Sequence, residues 1–422
     1  MTASSPAPAR GLRLAPFQAL RPTSDGPKLA RALCPPYDVI DADQRARLIA
    51  ADPDNAVAVI LPEDRDGDPY QAAAQRLDGW VESGRYRTDA DAVLYVYEMR
   101  DSAGAATRGL VGAIELRDPA DGVILPHENT MAGPVADRLA LMRATEANVE
   151  PIYLVYDGGG AASDAVASVD QVPPLAAATT DDGITHRLWR LDDRQTLDAI
   201  AADLATRRAL IADGHHRYAT YRELQYELRE SRGAGPWDFG LTLLVDSTSY
   251  GPQVHAIHRV VRLPLDAALA ELGDWGMEIR EAGSAADALA GLGDGAEFTA
   301  VLTDGSRTVV VIETGRRIRD AISHEGETAT LTDLDVTVLH RGLVEQVWGL
   351  EDTVDTVGYA HTVDEAVSAA QNTGSTAVLL RPTPVAAVAA VAAAGARMPR
   401  KSTLFTPKPA SGLFMRRFAD GG

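Results

Sequence analysis

The spacing of apolar positions changes period several times along the chain, and each change marks an element. Ala209-Leu-Ile-Ala212 is a short apolar run that predicts a buried strand, with Asp213-Gly214 as the turn after it. From His215, the apolar positions Tyr218, Tyr221, Leu224 and Leu228 recur at spacings of three and four, which predicts an amphipathic helix. Upstream, Asp41 is placed to cap a helix running to Ile49, an apolar run over 56–61 predicts a strand, and 70–83 predicts a helix stopped by Gly84. Two β-prone runs, 92–99 and 108–116, predict a hairpin. A turn-like stretch over 124–130 leads to a predicted helix over 136–148 and a strand over 151–156. Residues 158–172 read as a flexible surface segment. A strand over 186–191 and a helix over 193–207 precede the central motif, and strands over 239–246 and 255–262 follow it. Beyond Pro264, helices over 265–272 and 285–292 alternate with strands over 298–302 and 307–313. A long amphipathic helix over 331–347 comes next, then a segment over 353–359, a helix over 363–371, a strand over 376–380 and a helix over 384–395. The tail over 398–413 is irregular, and residues 1–10 have the composition of a disordered segment. The pattern is that of a mixed α+β protein, with boundaries expected near 120 and 263 and no repeat.

Composition narrows the classes. At 422 residues the chain has room for two or three domains. A formal net charge of −20 argues against sequence-independent nucleic-acid binding, which requires a basic face. The single cysteine, Cys34, excludes an internal disulfide and a multi-cysteine metal site and fits a reducing compartment. No stretch approaches the roughly 18 uninterrupted apolar residues of a membrane span, and the first ten residues lack a signal-peptide core. A cytoplasmic protein without a membrane partner is expected.

Three constellations carry candidate chemistry. The first is Asp213-Gly-His-His-Arg217 at the strand-to-helix junction. Unpaired N–H groups and the positive end of a helix dipole sit there, and Gly214 has no Cβ to hold a ligand away, so an anion and above all a phosphate suits the place. The plainer alternative makes Asp213 an N-cap and the histidines surface residues. Two imidazoles and a guanidinium gathered around one glycine favour a site. Adjacent histidines at a helix start point apart and rarely chelate one ion, so a zinc site is not expected. The second is Pro126-His127-Glu128, where a carboxylate beside a turn can act as general base toward a hydroxyl. Most glutamates in such a triplet are merely solvated. It is not a zincin motif, because Met131 stands where the second histidine would be. The third is Arg397-Met-Pro-Arg-Lys401-Ser402-Thr403, cations and hydroxyls in one loop suited to a carboxylate or phosphoryl group. A solvated basic tail is the usual explanation, but the packed stretch Leu404-Phe405 that follows favours order. His258-Arg259 and Tyr37-Asp38 are weaker candidates, either of which would serve equally well as structure.

Taken together and in this order, these residues resemble two related groups. Ala15-Pro-Phe17 with Leu20-Arg-Pro22, Pro35-Pro-Tyr-Asp-Val-Ile40, His127-Glu128 with Thr130, Asp137-Arg138, Ile211-Ala-Asp-Gly-His-His-Arg-Tyr218 and Met398-Pro-(x)-Lys401-Ser-Thr-(x)-Phe405-(x)-Pro-Lys408 resemble a bacterial family, the domain of unknown function 1015, over nearly the full length. From about residue 121 the chain also resembles, more distantly, the free-serine kinases of the ParB/sulfiredoxin superfamily. The matching segments are Pro126-His-Glu128, Asp213-Gly-His-His-Arg-Tyr218, Arg381-Pro-Thr-Pro384 and Pro399-Arg-Lys-Ser-Thr403. Sulfiredoxin has a similar Gly-Cys-His-Arg-Tyr element; His215 takes the place of its cysteine, so sulfinic-acid reduction is not implied.

The second resemblance implies a ParB/sulfiredoxin-like nucleotide-binding core over 121–262, an N-terminal α/β extension over 1–120 and a C-terminal α/β domain over 263–422 that completes the substrate cleft. It implies a nucleotide-dependent small-molecule kinase that converts free L-serine to O-phosphoserine. Glu128, beside His127, would be the catalytic base. Asp213, Gly214, His215, His216 and Arg217 would hold the phosphates of ATP or ADP, with Asp213 also toward Mg²⁺, and Lys401, Ser402, Thr403 and Arg259 would hold the substrate. The alternative is a non-catalytic ParB-like nucleotide-binding regulator. Two departures stand: Arg400 is an extra residue between the proline and the lysine, and the kinases have no counterpart of residues 1–120. That extension is a candidate for gating the cleft, forming a homodimer or changing the substrate. The absence of Gly-x-x-x-x-Gly-Lys-Ser/Thr and of a Rossmann fingerprint removes two common rival nucleotide folds.

Overall fold

The hairpin expected over 92–116 forms the middle of a nine-stranded mixed sheet. Leu94–Arg100 pairs antiparallel with Ala106–Glu115, which pairs in turn with Phe239–Asp246. Phe239–Asp246 runs parallel to Ile152–Tyr156, then comes Ala209–Asp213, and Ile124–Leu125 closes that edge. On the other side of the hairpin lie Thr185–Leu191 and Ala176–Thr179, and Leu14–Ala15 pairs with Ala106–Glu115. Strands from both sides of residue 120 therefore share one sheet. The helix His215–Arg232 lays Tyr218, Tyr221 and Leu224 onto the core formed by Leu110, Ile114, Leu154 and Leu244. Gly240 makes that seat possible, since a Cβ there would run into the ring of Tyr221.

The computed structural model describes residues 11–63, 67–293, 295, 297–324 and 327–420; the disordered segment expected over 1–10 lies outside the described residues. The chain divides into two units. One comprises residues 1–126, 130–252 and 407–422, and the other residues 127–129 and 253–406. The second unit carries a six-stranded antiparallel sheet in the order Met277–Ala282, Thr308–Glu313, Thr299–Thr303, Thr376–Leu379, His258–Val261, Val357–Ala360. Ala366 and Ala370 of the helix Val363–Thr373 pack on Val260, Val301 and Leu379 of this sheet. The mixed α+β class expected from the pattern is the class found. Among the described residues no helix is long and apolar enough to cross a membrane.

Several local expectations are corrected. The run over 56–61 is a helical turn, Val57–Ile60, and not a strand. All four of its residues are buried, so periodicity could not separate strand from helix. Asn55 decides it, accepting the Val57 N–H and donating to the carbonyls of Arg31 and Leu33. The segment over 158–172 is not a flexible surface stretch: Gly160–Ala167 is helical and buries Ala162, Ala165 and Val166 in the main core. The helix expected over 136–148 is Ala132–Thr145, ended by Glu146 in left-handed geometry (φ 44°), after which Ala147–Asn148 pairs with Arg416–Arg417. The long helix expected over 331–347 is broken into Ala329–Thr332, Asp335–Thr337 and a π-helix, Val338–Val347, with the chain extended at Leu334. Leu331, Leu334, Val338, Leu339, Leu343 and Val344 are all buried, so the apolar count was right although no single amphipathic face exists. The strand over 255–262 is two, Gln253–His255 and His258–Val261, and the former pairs with Leu404–Thr406 from the tail expected to be irregular. Ala176–Thr179 and Met277–Ala282 have no counterpart among the expected strands: the first is alanine-rich, and the second is mostly exposed and charged.

Buried His186 yields a test of the first unit's pH dependence. Its Nδ1 meets the Tyr97 hydroxyl at 2.7 Å and its Nε2 the Thr180 hydroxyl at 3.1 Å. Burial, opposed by Asp182, pushes its pKa down to about 4. Below the ordinary histidine value of about 6.5 the unfolded chain binds a proton that the folded chain refuses. His186 thus contributes stability fully above pH 6.5 and loses it as pH falls toward 4, about 3 kcal/mol in all. Urea unfolding between about pH 4.5 and 6.5 should show a shallower pH slope for His186→Gln than for the wild type.

Candidate functional site

The strand Ala209–Asp213 delivers Asp213 to the junction, opposite Tyr153, with an irregularity in the pairing between Ile211 and Asp213. Gly214, not Asp213, occupies the N-cap of the 18-residue helix His215–Arg232, at φ 90°. Two constraints select glycine there: the left-handed backbone, and a Cβ that would lie 3.1 Å from Arg217 Nε. Arg217 is 3% exposed. It donates to the Pro151 carbonyl and to Asp213 Oδ2, and its buried Nε has no hydrogen-bond partner. Burial alone would lower its pKa, but the carboxylates of Asp213, Glu150 and Asp38 more than offset this and raise it. His215 is buried, and His216 Nε2 accepts the Met131 N–H at 3.0 Å, so that ring is not doubly protonated.

Two sequence-distant segments complete this junction. Lys408 Nζ lies 2.7 Å from Asp213 Oδ1 and 2.9 Å from Asp38 Oδ2. Burial works to lower the lysine pKa, yet Asp213 and Asp38 raise it, so the ammonium is held. Beside it, the Tyr37 N–H donates to Glu150 Oε1 at 3.0 Å, and the Arg138 guanidinium stacks over the Tyr37 ring at 4.3 Å. Burial pushes the Tyr37 phenol up to about 12, with Arg217 and Arg138 pulling the other way. Lys408 is the residue that reading the sequence for chemistry missed. Its signal was the flanking pair Pro407 and Pro409, which stiffens a tail that otherwise looks irregular.

The second unit gathers its own cluster. His127, 1% exposed, meets Thr403 Oγ1 at 3.0 Å through Nε2, and its carbonyl accepts the Met398 N–H at 2.8 Å. Glu128 Oε1 accepts the Lys401 N–H at 2.7 Å. Lys401 is in left-handed geometry (φ 54°), uncommon for a residue with a side chain, and is exposed. Ser402 Oγ closes the turn by donating to the Pro399 carbonyl at 2.5 Å. Arg259 is fully buried and spans this loop from below. Nη2 donates to the carbonyls of Arg400 and Lys401, Nη1 to that of Ile257 and Nε to His340 Nε2 at 2.9 Å. His340 therefore accepts at Nε2 and donates from Nδ1 to Asp352 at 3.0 Å, a neutral ring consistent with the lowered pKa that burial imposes on it. Burial brings Arg259 down to about 10, with Tyr359, Asp352 and Glu128 opposing. All three guanidinium nitrogens of Arg259 donate to protein acceptors, which ties it to this loop as a support. Arg381 is likewise spent on Asp335 and on the carbonyls of Gly293, Gly295 and Glu297.

The model of the family described as "Protein of unknown function (DUF1015)" matches residues 14–352. The chain belongs to this family. Both clusters fall largely inside the match, although Lys401–Thr403 and Lys408 lie beyond it. No curated protein matches the chain. Among solved structures, a free serine kinase in complex with ADP aligns at 15% identity, covering 69% of this chain and 89% of that one, with a TM-score of 0.35. A conserved hypothetical protein from Pyrococcus furiosus aligns at 16% identity over 71% and 94%, TM-score 0.34, and SbnI from Staphylococcus aureus at 11% over 71% and 85%, TM-score 0.36.

In this DUF1015 member the donor set at Asp213 does not fit the magnesium role expected of it. Both carboxylate oxygens are engaged, one by Lys408 and one by Arg217. A divalent ion about 4 Å from either cation would meet repulsion of roughly 8 kcal/mol at an effective dielectric near 20. Among the described residues no group of three or more His, Cys, Asp or Glu is placed to hold a metal ion. The same pairing makes Arg217 costly to remove, because Pro151 and Asp213 would keep buried acceptors without their donor. Arg217→Met should lose about 3–5 kcal/mol of stability, measured by urea unfolding at pH 7. Arg217→Lys should recover only part of it, since one ammonium cannot reproduce the planar fork.

Proposed function

We propose that this protein is a nucleotide-dependent small-molecule kinase whose acceptor is free L-serine or a close hydroxylated amino acid. The observation that carries the reading is the strand–Gly214–helix junction with Arg217 and Lys408 fixed beside it. A helix mouth of this kind, with a glycine that admits close approach and two cations tied in place, suits the phosphates of ATP or ADP. The motif resemblance to the free-serine kinases supports the same assignment.

In this reading His215, His216 and the N–H groups of the first helical turn receive the phosphate oxygens, with Gly214 giving them room. Glu128 is the base: it takes the proton from the serine Oγ as the Oγ–P bond forms. The P–O bond to the departing nucleotide breaks with its electron pair, releasing ADP from ATP or AMP from ADP. Lys401, with its exposed ammonium, and the Thr403 hydroxyl, held by His127, receive the carboxylate or the new phosphate, while the Ser402 hydroxyl, committed to the Pro399 carbonyl, keeps the loop in shape. Arg259 acts as a positioning residue under this loop. No step is routed through Mg²⁺, because Asp213 offers it no vacant oxygen.

One observation favours the alternative of a non-catalytic nucleotide-binding regulator. Glu128 already serves as an acceptor for the Lys401 N–H, a purely structural use of the carboxylate. Glu128→Gln separates the two, because the amide oxygen still accepts that N–H but cannot take a proton. Purified protein given ATP or ADP, Mg²⁺ and serine should yield O-phosphoserine, detected by mass spectrometry. Glu128→Gln should lose at least about a hundredfold in rate, the usual scale of general-base catalysis, with nucleotide affinity unchanged. Full activity in that variant would remove Glu128 from the mechanism. Nucleotide binding without turnover on serine or a screen of small alcohols would leave the regulator.

A further inference from the structure

We propose that Lys408 stands where a divalent cation would otherwise bind Asp213, so that this junction holds nucleotide phosphates without a metal ion on that carboxylate. The inference rests on the nucleotide reading above and adds the source of the neutralising charge.

Three observations lead to it. Lys408 comes from the far end of the chain, yet its ammonium sits at hydrogen-bond distance from two carboxylates, Asp38 and Asp213, that come from two other segments. An ammonium has three N–H donors, and these contacts use two, leaving one for a ligand oxygen. The side chain is 15% exposed, enough to reach a bound anion while keeping the ammonium fixed. Asp213 is meanwhile closed to a cation from both sides, by Lys408 at Oδ1 and Arg217 at Oδ2. Finally, Arg217 Nε is buried without a partner beside Gly214, so the guanidinium retains an unspent donor at the helix mouth. Asp38, Asp213, Lys408 and Arg217 sum to zero charge. The junction therefore attracts a polyphosphate by directed N–H donors more than by excess positive field, and a lysine between two carboxylates is oriented for that purpose. Asp38 becomes a positioning residue, since it holds the ammonium rather than the ligand.

The test is calorimetric titration of the full chain with ADP, once in Mg²⁺ and once in EDTA, alongside Lys408→Met and Lys408→Arg. The wild type should bind ADP with an affinity that changes by less than about threefold between the two conditions. Lys408→Met should weaken binding by about tenfold or more in EDTA, and Lys408→Arg, which keeps the charge, should retain most of it. A tenfold or larger loss in EDTA that Mg²⁺ restores, and that Asp213→Asn no longer restores, would overturn the inference while leaving the nucleotide reading intact. Unaltered affinity in a folded Lys408→Met would overturn it as well. A wild type that binds no ADP in either condition removes the nucleotide reading and this inference together. A wild-type affinity that falls tenfold or more in EDTA also overturns the inference where the Asp213→Asn variant fails to fold, and one that holds within threefold supports it without any substitution.

Discussion

The constraint on which the first unit's site depends is the cost of placing Arg217 in the interior. An unpaired guanidinium there would be prohibitive, and the chain offsets it with carboxylates brought in from several segments. Asp213 lies four residues before it, and Glu150 and Asp38 add their fields. Pairing Arg217 with Asp213 ties the end of a strand to the first turn of the following helix. That brace needs Gly214 between them, because any Cβ would press on the guanidinium. Lys408 then balances the second oxygen of Asp213 and draws Asp38 in. One buried cation thus dictates the glycine, the aspartate and the lysine around it.

The loop of the second unit obeys the same logic with different parts. Lys401 holds a left-handed conformation that a lysine does not adopt freely. It is fixed from two sides, its N–H by Glu128 and its carbonyl by Arg259. Arg259 in turn is oriented by His340, and His340 by Asp352, so a buried chain of donors ends on the backbone of the exposed Lys401. Both clusters therefore spend buried charge to fix the backbone beside a cation: the 213–217 turn beside Lys408, and the 399–403 loop beneath Lys401.

Much of this was legible in the sequence because its signals are local. The strand over 209–213, the turn glycine and the helix from His215 follow from period and residue type, and so does the hairpin of Leu94–Arg100 with Ala106–Glu115. Where every residue of a stretch is buried, as at Val57–Ile60, period carries no information and side-chain capping decides; through 331–347 the helix breaks do. The pairing of Lys408 with Asp213 and Asp38 was invisible for another reason: it joins segments 195 (408 − 213) and 370 (408 − 38) residues apart in sequence, and no local pattern encodes it. Arg259 was picked out for its charge, and the structure shows it bonded to loop carbonyls, which a sequence cannot distinguish from a ligand contact.

A protein of net charge −20 is a poor host for a polyphosphate only if charge is summed over the whole chain. Exposed carboxylates more than about 8 Å away are largely screened at physiological ionic strength, whereas groups in contact with the ligand are not. What the proposed phosphate would meet at the Gly214 junction is set by donors fixed within a few ångströms, the first-turn amides and the Lys408 ammonium. Asp213 and Asp38 do not repel it in proportion to their formal charge, because each already shares its field with a cation at hydrogen-bond distance. Neutralised carboxylates of this kind cost little attraction and supply orientation, which is what selective recognition of an anion by an acidic protein requires.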